Sequence, residues 1–257
     1  MNTLQKPDFP QKKTVINTLK ESSLHKILKK MYAEEYSGRM EVQTGNFIAD
    51  IVCPGKKIIE IQTGNVSSLK RKALYFIENG YSLRIAVPLP AIKTIVNIEK
   101  DGTVISRRKS PLKKNIYSVF RELTGFYELL GNQQIVLEIL ECETEEIRTK
   151  VNAPVQSENK RRRFCKPWIK TDKNLVSITK KMRFSSKKEW LSLLPPLPCT
   201  SLQTMSGSFT VKDVINGLKS SGVKAGENDV RLMLWVFEKA GFIKRCGKSG
   251  RAVLYSI

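Results

Sequence analysis

Three residues in one short stretch have the types and spacing to do chemistry: Asp50, Glu60 and Gln62, within Asn46–Gln62. Two apolar runs, Phe47–Cys53 and Ile58–Ile61, flank Pro54-Gly55, a pair suited to a tight reversal. A hairpin centred on Gly55 sets Asp50 opposite Glu60. Gln62 falls on the same face as Glu60, because side chains alternate along a strand. Directly opposed Cβ atoms lie about 5 Å apart. Two carboxylates that close repel, and in apolar strands each also resists ionisation. A hard divalent cation between them, Mg²⁺ or Mn²⁺ with oxygen ligands, resolves the conflict. Asp50 and Glu60 are therefore the expected metal ligands, and the chemistry expected of such a site is metal-dependent hydrolysis of phosphodiesters.

Several elements must position this hairpin. Ile16, Leu19, Leu24, Ile27, Leu28, Met31 and Tyr32 recur at helical spacing, which predicts a helix from Val15 to Tyr36, with Ser23 capping its second half. Arg39 to Thr44 reads as a strand turning at Gly45-Asn46, and Glu41 on it is a candidate third ligand facing Asp50. After Gln62 a helix is expected from about Ser67 to Asn79, capped by Ser67 or Ser68. Lys70, Arg71 and Lys72 crowd its first turns, where basic side chains are locally unfavourable but an anionic phosphate is welcome.

Asp50 followed by Glu60-Ile61-Gln62 on the next strand resembles the PD-(D/E)XK nuclease superfamily, the fold of many restriction enzymes and Holliday-junction resolvases. The resemblance implies that Asp50 and Glu60 bind metal and that Gln62 stands where a lysine positions or activates the attacking water. Some restriction endonucleases and competence-associated nuclease-like proteins show the same Glu-x-Gln. It further implies that Lys70 or Lys72 stands in for the missing lysine, and that the first helix offers another acid, with Glu34 and Glu35 as candidates. The whole chain also resembles a family of uncharacterised bacterial proteins sharing I-E-I-Q-T, then S-R-R-K-S-P, then a C-terminal helix-wing module.

The formal charge of +21 over 257 residues points to a polyanionic partner, above all nucleic acid. Nearly half of the excess lies between residues 150 and 200. Arg161, Arg162 and Arg163 there are interleaved with Phe164, Trp168, Phe184 and Trp190, as backbone or single-strand binding would use them. Of these aromatics, Trp190 is read as packing inward. Arg107, Arg108 and Lys109 read as a basic loop, after a strand from Tyr81 to Val87 that closes at Pro88, and before a helix from Ile116 to Leu130. Ile92 to Ile98 fits helix or strand equally. Gln133 to Cys142 reads as a last strand. Five scattered cysteines without a C-x-x-C pair argue against zinc and disulfides. A single histidine, His25, cannot build a metal cluster alone. With no apolar run of membrane-spanning length, a cytoplasmic location and no membrane partner are expected.

The last 50 residues read as helix (Val211–Lys219), turn, helix (Asp229–Ala240, capped by Asn228) and two short strands flanking Gly247–Arg251. That order resembles a winged helix, with Arg231, Lys244, Arg245, Lys248 and Arg251 placed to contact nucleic acid. The expected architecture is α/β: a restriction-endonuclease-like mixed sheet flanked by helices over residues 15–152, after a disordered lead-in at 1–14. A basic linker or helical segment (153–200) and a smaller winged-helix domain (201–257) complete it. The expected function is a Mg²⁺- or Mn²⁺-dependent nuclease of double-stranded DNA, with homodimerisation left open. The alternatives are a catalytically inactive DNA-binding protein retaining the nuclease fold, or a protein-docking factor.

Overall fold

The computed structural model describes residues 21–156, 164–197 and 207–257. Helix α1 (Ser23–Glu35) opens it, with the Ser22 hydroxyl accepting from the His25 N–H. The cap thus lies one residue ahead of the expected Ser23, and the part of the helix expected before residue 21 falls outside the described residues, as does the lead-in. Strands β1 (Arg39–Thr44), β2 (Phe47–Cys53) and β3 (Lys57–Ile61) form an antiparallel meander. The β2–β3 register sets Ile51 against Ile59 and Val52 against Ile58, as a reversal centred on Gly55 requires.

A 3₁₀ turn (Val66–Leu69) and α2 (Lys70–Glu78) cross over to β4 (Ser82–Ile98), which runs parallel to β3. Neither Ser67 nor Ser68 caps α2. The Ser68 hydroxyl bonds the Asn65 carbonyl instead, and Ser67 bridges Glu122 and Gly125. Strand β4 does not close at Pro88 but continues through Pro88 and Pro90. Both prolines share the parity of Ala86, whose carbonyl accepts the Gln62 N–H where β3 ends. Their missing donors therefore face a side with no partner strand, where proline is tolerated. The segment 92–98 is strand, and β5 (Val104–Lys109) pairs with it on the side β3 has left. Arg107, Arg108 and Lys109 accordingly lie on a strand rather than in a loop.

The expected helix from Ile116 to Leu130 is broken into a 3₁₀ turn, a single α-turn, α3 (Phe120–Leu123), and a second 3₁₀ turn. The break falls at Gly125, where an added Cβ would come 2.9 Å from Ser67. Strand β6 (Ile135–Val155) follows, parallel to β4, and β7 (Lys166–Phe184) completes the sheet antiparallel to β6. Residues 153–200 are therefore more than a linker: among the described residues of this segment Lys166–Phe184 is a sheet strand, followed by the short helix α4 (Lys187–Leu191). The whole is a seven-stranded mixed sheet in the order β1-β2-β3-β4-β6-β7, with β5 beside β4.

Helix α1 covers one face, Leu24, Leu28 and Tyr32 packing on Ile51, Ile59, Ile61, Ala86 and Leu140. Each fully buried side chain of this kind contributes about 1.5–3 kcal/mol. On the opposite face, α2 lays Ala73 and Phe76 on Ile58, Leu83 and Ile85. Helices α5 (Val211–Ser220) and α6 (Glu227–Lys239) join that same core. The Phe120 ring is 5.9 Å from Trp190 and 5.3 Å from Phe237, and Trp190 is wholly buried. Gly226, not Asn228, precedes α6. Strands β8 (Lys244–Ser249) and β9 (Ala252–Ser256) form the terminal hairpin, so Gly247 and Lys248 are in the strand and the tip is shorter than expected. Among the described residues no helix is long and apolar enough to cross a membrane.

Candidate active site

The ladder between β2 and β3 stops one step short of Asp50 and Glu60. There the side chains take over the hydrogen bonds: the Asp50 N–H donates to Glu60 Oε1 at 3.1 Å, and the Ile61 N–H donates to Asp50 Oδ2 at 2.8 Å. The other side of β2 is also interrupted at Asp50. Met40 pairs with Ile51 and Val42 with Ala49, but Glu41, between them, has φ +55° and makes no strand pair. Ala49 consequently packs on the α2 face and Ile51 on the α1 face, a parity break centred on Asp50. The two carboxylates occupy a fork in the sheet, reached by a helix from each side.

From α2, Lys72 places Nζ 2.6 Å from Glu60 Oε2. From α1, His25 Nε2 lies 3.6 Å from Asp50 Oδ2 and 3.2 Å from Glu21 Oε1. That nitrogen is buried between the two carboxylates. Lys29, one turn on, bridges Glu21 at 2.7 Å and Glu41 at 2.8 Å. Burial lowers the Lys29 pKa, but hydrogen bonds to those two carboxylates outweigh it and hold the ammonium above its usual range.

The environments drive the two central carboxyls apart. Burial, together with the Asp50 charge, pushes Glu60 up to about 7 against the pull of Lys72. Burial also opposes ionisation of Asp50, but His25, the Ile61 N–H and Lys72 together outweigh it and hold Asp50 below its usual range. One carboxylate fixed as an anion beside another poised near neutrality is an arrangement suited to acid–base and electrophilic chemistry.

The sequence-predicted residues divide accordingly. Asp50, Glu60 and Lys72 are brought together. Lys70 is not, since its ammonium pairs with Glu128 at 2.7 Å. The Gln62 amide nitrogen turns away into the loop before α2, donating to the Gly64 and Asn65 carbonyls. Glu41 stands across from Asp50 but gives its carboxylate to Lys29. Glu34 and Glu35 pair with Lys30 and Lys181 at the far end of α1. Sequence reasoning missed His25 and Lys29; their spacing of four residues, beside the apolar Leu24–Leu28 stripe, was the signal available. Among the described residues, Glu21, His25 and Asp50 form a group whose ligand atoms lie within 4.8 Å of one another.

The expected nucleic-acid contacts are scattered. Arg107 pairs with Glu145, Arg231 with Glu227, and Arg245 with Glu238 at 2.9 Å. Arg108, Lys109, Lys244, Lys248 and Arg251 are exposed, and Arg161, Arg162 and Arg163 lie outside the described residues. A cleft of about 550 Å³ between α5, α6 and β9 is rimmed by Lys212, Lys219, Arg231 and Arg251, with Glu227 the one acid.

A protein-family model, a domain of unknown function designated DUF8091, matches residues 22–185. The chain belongs to the DUF8091 family. The DUF8091 match opens at the α1 cap and closes just past β7, so it takes in the fork and the whole sheet and leaves out the C-terminal helices and hairpin. An uncharacterized protein of Treponema pallidum (strain Nichols) is 27% identical over 197 residues, covering 75% of each chain. No solved structure matches the chain.

Proposed function

We propose that the chain is a metal-dependent nuclease acting on double-stranded DNA, with a PD-(D/E)XK-type core and a C-terminal winged-helix module that holds the duplex. The observation that carries this reading is the fork, in which Asp50 and Glu60 each accept a backbone N–H of the other's strand and the Lys72 ammonium lies 2.6 Å from Glu60 Oε2. Lys72, rather than Gln62 or Lys70, fills the role of the motif lysine in this account.

The donor set fits a divalent cation. Asp50 and Glu60 offer hard oxygens, but the ligand atoms lying within 4.8 Å of one another among the described residues are those of Glu21, His25 and Asp50, so Glu21 and His25 Nε2 would complete the set around Asp50, with Glu60 beside it. Imidazole beside carboxylates suits Mn²⁺ as well as Mg²⁺ suits the oxygens alone. A bound cation would lower the pKa of an attacking water and offset charge on the phosphate. The chain's own residues do the rest. Asp50 stays anionic at neutral pH and so remains available as a ligand. Burial and the Asp50 charge push Glu60 up, and a bound cation would offset both and hold it as a carboxylate ligand. Lys72 puts a fixed positive charge beside the reacting group, where electrostatic preorganisation contributes most.

At the C-terminus, α5, α6, the β8–β9 hairpin and a bridge from Phe209 to Tyr255 have the order of a winged helix. The exposed Lys244, Lys248 and Arg251 support phosphate contact by its wing. Incubation of supercoiled plasmid with the protein in Mn²⁺, Mg²⁺ or chelator tests the proposal. Metal-dependent nicking by wild type, lost in Asp50→Asn, is the expected result.

One observation favours a second reading, a DNA-binding protein without catalysis. Lys72 already pairs with Glu60 without a cation, and the Gln62 amide is turned into the loop before α2. Salt-sensitive DNA binding with no cleavage in any metal would select this reading.

A further inference from the structure

Strand β3 stops at Ile61 opposite Ala86, but β4 runs on to Ile98 with β5, β6 and β7 alongside. About twelve residues project beyond the end of β3, or about 40 Å at 3.3 Å per residue, slightly more than one turn of B-DNA at about 34 Å. Because β3 and β4 are parallel, this extension leaves the sheet at the end bearing Glu60 and Asp50. It is also tied to α1: the Ser23 N–H donates to Asp172 Oδ1 on β7 at 2.8 Å, two residues before His25.

The register groups its charges. Arg108, Ile95, Glu146 and Lys173 are successive cross-strand partners on β5, β4, β6 and β7, so they share a face. Arg148 and Lys170 are partners in the neighbouring row. The one acid in these rows is already neutralised, Glu146 lying 3.3 Å from Lys93 and 2.6 Å from Arg148. Arg108, Lys170 and Lys173 have no ion pair with any described residue. Lys173 is half-buried, and burial, with Lys170 and Lys114 nearby, lowers its pKa to about 8. Desolvated like charges of this kind are relieved by an anion. Trp168 lies on the same strand, with the Arg148 guanidinium 3.8 Å from its ring centre.

Resting on the nuclease reading, we propose that this extension is a track for the phosphate backbone of duplex DNA on one side of the cleavage site, with Arg108, Lys170 and Lys173 as phosphate-contacting residues. The charge complementarity is to a regular polyanion, and the length matches one helical turn. Cleavage should therefore need about ten base pairs of duplex on that side of the scissile bond.

The test is fluorescence anisotropy of the full chain with a labelled 30-bp duplex in chelator, titrated across a salt series. Each lost phosphate contact should reduce the slope of log K against log[salt] by about 0.9. Lys170→Gln/Lys173→Gln should therefore flatten the slope by about 1.8, and Arg108→Gln, at an exposed strand position, by about 0.9. Arg108→Gln keeps the test decisive if Lys173→Gln disturbs folding. Wild-type slopes in both variants, absence of duplex binding, or tighter binding to single strands of equal length would each overturn the track. Cleavage in Mn²⁺, measured separately, tells the two ideas apart. Flattened slopes without cleavage would remove the nuclease reading and leave the track standing, whereas cleavage with unchanged slopes would do the reverse.

Discussion

Lys72 Nζ lies 2.6 Å from Glu60 Oε2, joining the first turns of α2 to the end of β3. The contact explains how a carboxylate only 3% exposed is held beside a second carboxylate. It does not fully offset the cost, because Glu60 still titrates near 7. The consequence is a site whose charge state changes within the physiological range.

The first prediction follows from that residual cost. A carboxyl with a folded-state pKa of about 7, against about 4.5 in the unfolded chain, favours folding only while protonated. Its contribution is complete below pH 4 and is lost as pH rises through 7. Glu60→Gln, neutral at every pH, should therefore be more stable than wild type at pH 8, by about 1–3 kcal/mol. Near pH 4 the two should melt alike. Thermal melts at both pH values check this; a variant less stable at pH 8 would mean that the Lys72 contact outweighs burial and repulsion.

A second prediction concerns His25. Imidazole is a better ligand for Mn²⁺ than for Mg²⁺. His25→Ala should weaken Mn²⁺ binding by about tenfold, or about 1.4 kcal/mol, with a smaller effect on Mg²⁺. Isothermal calorimetry on the two proteins reads both. Equal losses for the two ions would place His25 outside the coordination sphere.

How much of this was legible in the sequence depends on the distance over which each signal acts. Pro54-Gly55 fixed the register that opposes Asp50 and Glu60, because a tight turn leaves neighbouring strands little freedom. Lys72 was visible as a basic residue on the wrong end of a helix. His25 and Lys29 were not, since only the docking of α1 brings them to β1 and β2. Pro88 and Pro90 suggested a strand end, and only the early stop of β3 makes them acceptable within β4. Strand β7 was hidden by its charges: Lys170, Lys173 and Lys180 interrupt a strand of mixed exposure, so no apolar alternation marks it.

The third prediction concerns the base of the sheet. Glu138 is fully buried and accepts from the Tyr32 hydroxyl and from Arg183 Nε at 2.6 Å, with Arg84 at 3.5 Å. Burial raises its pKa, but Tyr32 and Arg183 outweigh that and hold it below the usual range. Glu138→Ala would leave these donors without their acceptor and should cost about 2–4 kcal/mol in urea unfolding. Tyr32→Phe should cost about 1–2 kcal/mol. Changes under 0.5 kcal/mol in both would show that water replaces the carboxylate freely.

The most direct test of the account is the single-turnover rate of duplex cleavage in Mn²⁺ for wild type, Lys72→Ala, Lys70→Ala and Gln62→Ala, compared at equal occupancy by DNA. If Lys72 supplies the positive charge at the Asp50–Glu60 fork, its loss should slow cleavage by about 10²–10³. Lys70→Ala and Gln62→Ala should stay within a few-fold of wild type, because Lys70 is committed to Glu128 and the Gln62 amide to the loop. Contradiction would take the form of full activity in Lys72→Ala, or a loss in Gln62→Ala as large as in Lys72→Ala.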